Sequence, residues 1–171
     1  MTSSKHKLYK NAKEVVYAVF QKKLLNYFSL MNYRISEEEK SIKGYLVSLL
    51  VRQAMVDGKI GVGERSYLLH ALKTIKLEAK DIKSIIASPL DYSIDPPLEE
   101  NKRMTILYHM LFMMKANRSL DFKKEELCYN IGFELGFRHE MIRDLINVII
   151  EHRRTEMPPM AMLDKIKPYL N

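Results

Sequence analysis

The stretch Ala54-Met-Val-Asp-Gly-Lys-Ile-Gly-Val-Gly-Glu64 decides how this chain is read. It lies between two runs of helical periodicity and concentrates glycine and acid where neither neighbour has them. Glycine adopts positive φ without a Cβ clash, so Gly58, Gly61 and Gly63 are expected to supply the left-handed turns of a close reversal. Asp57 is placed to brace or cap the turn, and Ile60 to pin the two helix ends together. The stretch reads as the hinge of a helix–hinge–helix unit.

Upstream of the hinge, Ser36-Glu-Glu-Glu39 has the pattern of a capping box, with acids suited to the positive end of a helix. The spacing predicts a helix from Glu37 to Val56, with Ile42, Tyr45, Leu46, Leu49 and Leu50 on one broad face. Downstream, a second helix is expected from Val62 to Lys76. A third, shorter one carries Ile82, Ile85 and Ile86 and stops before Pro89. No helix is expected to cross the proline-bearing linker 89–97.

The second half then echoes the first at a shift of sixty residues. Asp57 falls on Asn117, Ile60 on Leu120 and Leu77 on Phe137, while Ile82, Ile85 and Ile86 fall on Ile142, Leu145 and Ile146. Ser36-Glu37 falls on Pro96-Pro97, which is tolerated in a first helical turn. The second unit is expected as a helix from Pro97 to Ala116, a hinge from Asn117 to Asp121 and a helix from Phe122 to Leu135. Gly136 stops that helix, and a last one runs from His139 to His152. One such unit is too small to bury its apolar faces, so the two are expected to pack about a pseudo-two-fold axis. A tail with Met160, Leu163, Ile166 and Leu170 is expected to dock as a short helix.

The paired units, with Asp57-Gly58-Lys59-Ile60 and Glu64 in the first hinge, resemble the TerB-like family of tellurite-resistance proteins and related co-chaperone N-terminal domains. In the second unit the resemblance is carried by Met113-Met-Lys-Ala-Asn-Arg-Ser-Leu120, Glu125-Glu126 and Leu135-Gly136-Phe137. It spans roughly residues 36 to 152. It implies an all-α protein-interaction or scaffolding module, linked to tellurite or general stress response, in which acidic residues are proposed to hold metal. Asn117-Arg118 replaces Asp-Gly in the second hinge, which removes the acid from that half.

Chemistry is sparse. Asp57 and Glu64 mimic positions 5 and 12 of an EF-hand loop, but Gln53 and Met55 stand where calcium needs acids. Calcium takes six to eight oxygens, so any metal site at Asp57 and Glu64 is expected to be weak, about 1 mM or poorer. The histidines show no zinc-ligand spacing, Cys128 has no sequence neighbour to activate it, and no phosphate loop follows a strand. No catalytic constellation and no cofactor are expected. Met110, Met113 and Met114 lie on a helix apolar all round. They read as adaptable core filler, or, in the sharper reading, as a groove for a partner helix.

With 171 residues, 47% of them apolar and 29% charged, the chain suits one globular domain. No apolar run approaches the roughly twenty residues needed to cross a bilayer, and no signal peptide is expected. The single cysteine fits a reducing cytoplasm. The net charge of +7 is uneven. Residues 1–35 hold seven basic side chains against Glu14, a net +6, and the remaining 21 basic and 20 acidic residues leave +1. Apolar residues recur there at helical spacing, so this segment is expected as an amphipathic helix packed on the body. In the competing reading Lys5, Lys7, Lys10, Lys13, Lys22 and Lys23 bind an anionic surface, with the inner membrane face preferred over nucleic acid.

The expected architecture is an all-α bundle of seven to nine helices. It comprises a basic N-terminal helix (1–35), a duplicated TerB-like domain (36–155, units 36–95 and 96–155) and a C-terminal tail (156–171). The expected function is a cytoplasmic, non-enzymatic interaction module with a protein partner. Membrane-peripheral binding through the N-terminal helix and weak divalent-metal sensing at the first hinge are the alternatives.

Overall fold

Hydroxyl and carboxylate caps, glycine stops and apolar stripes divide the chain into short helices, and a computed structural model shows how they stack. It describes residues 36–58, 60–117, 121–158 and 161–169. The expected basic helix at 1–35, with its six lysines, lies outside the described residues. In chain order the helices are α1 (Glu37–Met55), α2 (Val62–Ile75), α3 (Ala79–Ala87), α4 (Glu100–Ala116), α5 (Phe122–Glu134), α6 (His139–Glu151) and α7 (Ala161–Ile166). Single 3-10 turns at Pro89–Asp91 and Lys167–Tyr169 complete the set, and no strand occurs among the described residues. The described part of the protein is all-α.

The caps explain the boundaries. Ser36 Oγ accepts from the Glu39 amide at 3.1 Å and starts α1, while the Glu39 carboxylate reaches forward one turn to Lys43 at 2.7 Å. Asp121 Oδ1 accepts from the Lys123 amide at 2.9 Å and starts α5. Helix α5 ends in a Schellman arrangement: Phe137 N donates to Gly132 O, Gly136 N donates to Phe133 O, and Gly136 takes φ +84°. Lys76, which follows α2, takes φ +56° without being glycine.

Two helices form the interior. In α1 every residue from 43 to 51 is buried. It packs against α2, α3 and α4, so it has no solvent face over that span. Helix α4 lies against it and buries Ile106, Leu107, Met110, Leu111, Met113 and Met114. Helices α2, α5 and α6 all pack on α4. The stripe Met141, Ile142, Leu145, Ile146, Val148 and Ile149 turns α6 inward at helical spacing. Met162 and Ile166 of α7 are buried too, and α7 packs on α6.

The linker differs from expectation in one respect. Helix α4 opens at Glu100, not at Pro97. Arg103 Nη1 donates to the carbonyls of Pro97 and Leu98 at 3.0 and 2.9 Å and holds that approach outside the helix. Within α1, the buried Ser48 hydroxyl donates to Pro89 O at 2.6 Å and ties the linker to the central helix.

Candidate functional site

The hinge after α1 uses its glycines for different reasons. Only Gly58 is left-handed, at φ +73°. Gly61 is extended and caps α2. Gly63 lies inside the first turn of α2, where a Cβ would overlap the carbonyl oxygen of Ala116 at the end of α4. The expectation of three positive-φ glycines is therefore corrected. One turns the chain, and Gly63 lets two helix ends touch.

That close approach brings the hinge acids onto the second half of the protein. Lys124, on the first turn of α5, is only 1% exposed. Its Nζ donates to Glu64 Oε1 at 2.6 Å and to Asp57 Oδ2 at 2.9 Å. Glu64 is fully buried, and its other oxygen, Oε2, accepts from the Gly61 amide at 3.0 Å. Asp57 keeps its side chain 21% exposed. Burial pulls the lysine pKa down, but hydrogen bonds to Glu64 and Asp57, reinforced by their charges, outweigh it and hold Lys124 above its ordinary value.

The ammonium stands where a cation would have stood. Asp57 and Glu64 were the metal candidates, and the structure does bring them together, around an internal lysine. Both Glu64 oxygens and one Asp57 oxygen are engaged. A calcium ion would need six to eight oxygens and would have to displace a buried charge. Among the described residues no group of three or more His, Cys, Asp or Glu side chains is placed to hold a metal. In this structure the two acids expected to hold a weak metal site are instead paired with Lys124.

Lys124 is the residue that sequence reading missed. Its position is sixty residues beyond Glu64, the same spacing as the echo expected from the sequence, and a charge of opposite sign at that spacing was the available signal.

The other candidates resolve into core chemistry. Met110 and Met113 are fully buried and Met114 is 6% exposed. The groove they would line for a partner helix is filled by the protein itself, and that reading is corrected to core packing. Cys128 is fully buried too, and burial pushes its thiol up to about 12. Gln53 Nε2 lies 3.2 Å from its sulfur and donates to Met110 O at 3.0 Å, tying α1 to α4 and α5. His109 Nδ1 is hydrogen-bonded to the Tyr67 hydroxyl at 2.9 Å. Burial, with a smaller contribution from His70, lowers its pKa to about 4, so the ring is neutral at physiological pH.

No described helix is long and apolar enough to cross a membrane. Compared with known proteins, the chain matches no family model, no curated protein and no solved structure.

Proposed function

We propose that this chain is a non-enzymatic interaction module of TerB-like organisation, in which two three-helix units mate through their hinges and present a fixed surface to a protein partner. The observation that carries the proposal is the Glu64–Lys124 ion pair, which joins two residues sixty apart in the sequence, the spacing of the expected repeat. Three other correspondences support it. Helices α2 and α5 open at Val62 and Phe122. Helices α3 and α6 open at Ala79 and His139. The two left-handed stops at Lys76 and Gly136 also lie sixty apart. The buried Cys128 thiol and the buried His109 ring are held in packing contacts, which suits a structural role for these two side chains. A link to tellurite or general stress response rests on the resemblance in the hinge residues.

Affinity purification of the tagged chain from its native cell, with crosslinking before lysis, tests the reading. A module of this kind retains one or a few proteins above a tagged control, crosslinked through surface residues of 36–169. Recovery of the chain alone, at every salt concentration tried, would overturn the proposal.

A further inference from the structure

A groove of about 800 Å³ opens between α2, the C-terminal end of α4 and the turn that follows α6. Its apolar lining is Tyr67 and Phe112, and its charged rim is Lys115, Arg153 and Arg154. Glu156 is the single acid among the lining residues, against these three cations. The rim is held in place by the protein. Lys115 Nζ donates to the carbonyls of His152 and Thr155 at 2.6 and 3.0 Å. The turn closes on itself through Thr155 N to His152 O at 3.3 Å and Arg153 N to Ile150 O at 3.4 Å. Lys115 therefore braces the loop that carries the two arginines. Neither guanidinium pairs with a carboxylate among the described residues. The opposite wall is fixed as well, because the Tyr67 hydroxyl is hydrogen-bonded to His109.

We infer that this groove receives an acidic peptide segment of a protein partner, its carboxylates on Arg153 and Arg154 and an apolar side chain against Tyr67 and Phe112. The inference rests on the interaction-module reading and names the chemistry of the partner. A guanidinium offers a planar fork of donors that matches a carboxylate bidentately. The volume is that of a ligand-sized concavity. A bilayer or a duplex presents its phosphates on a flat or convex surface and meets protruding cations. Here the groove is a shallow one, open to solvent, whose lining mixes aromatic with basic side chains, which suits an extended peptide of mixed character.

The test is an amide NMR titration of the full chain with an octapeptide of alternating glutamate and leucine. Parallel titrations use the glutamine–leucine analogue, phosphatidylglycerol vesicles and a single-stranded oligonucleotide. The acidic peptide is expected to move resonances of residues 63–70, 112–116 and 153–156, and the glutamine analogue to leave them in place. Arg153→Gln with Arg154→Gln should weaken the peptide about tenfold or more while the spectrum elsewhere stays native. Three results would overturn the inference: no shift in the groove at millimolar peptide, equal binding by the double variant, or groove shifts produced by vesicles or oligonucleotide and not by peptide. Native purification of the double variant separates this inference from its parent reading. Partners retained unchanged would sink the groove and leave the module standing, whereas absence of any partner from the wild-type chain would sink the module.

Discussion

At the scale of single residues, the hinge acids show what a sequence can and cannot disclose. Asp57 and Glu64 stand out as the concentrated acids of a glycine-rich turn, and their proximity was legible. Their counter-ion was not, because burial of a lysine leaves no mark in local periodicity, and Lys124 sits on the start of a different helix. Its loss has a defined cost. Lys124→Met leaves the Glu64 carboxyl fully buried and without its ammonium, so urea unfolding should show a destabilisation of roughly 3–5 kcal/mol. The pH dependence follows from the direction of the shift. The folded-state pKa of Lys124 lies above the ordinary 10.5, so its contribution is complete below that value and is lost as pH rises through the raised one. Stability of the wild-type protein should fall on the alkaline side of pH 10.5, and the Lys124→Met variant should lack that part of the decline. Equal alkaline slopes in the two proteins would contradict the assignment.

At the scale of elements, local rules placed most helix ends and missed where a side chain one turn downstream takes the preceding carbonyls. Ser36, Asp121 and Gly136 are caps and stops whose chemistry is written in one or two residues. The start of α4 is not, because Pro96-Pro97 looks like a first turn until Arg103 takes the carbonyls of Pro97 and Leu98. The methionines of α4 belong to the same lesson. An all-round apolar helix is equally a buried axis or a sticky groove, and only the packing of α1, α2, α5 and α6 around it decides. Two glycine substitutions separate the reasons for glycine. Gly63→Ala places a methyl against the Ala116 carbonyl, a backbone group that cannot rotate away, and should cost about 1–3 kcal/mol as α2 and α4 are pushed apart. Gly136→Ala meets nothing within 4 Å, so its cost is the left-handed backbone alone, about 1–2 kcal/mol. Equilibrium unfolding gives both sizes. Amide shifts at Ala116 should move for Gly63→Ala and stay for Gly136→Ala.

At the scale of the whole molecule, α1 and α4 form a buried axis, and the remaining helices cover it. The sixty-residue spacing of Ile82, Ile85 and Ile86 against Ile142, Leu145 and Ile146 is legible in the sequence, but the environments match only in part: Ile85, Ile142, Leu145 and Ile146 are buried, whereas Ile86 is exposed. The contact between the halves was less legible, since it depends on which helix starts meet, and no periodicity encodes that. On the present account the halves are held together at their hinges by charge as well as by apolar packing, with Glu64 and Lys124 in direct contact. A double-mutant cycle tests this claim most directly, with Glu64→Gln, Lys124→Met and the two together compared by urea unfolding. The account predicts strong coupling, with the double variant more stable than the sum of the single losses implies by about 2 kcal/mol. Single effects that add to within about 0.5 kcal/mol would show that the two side chains do not meet, and would contradict it.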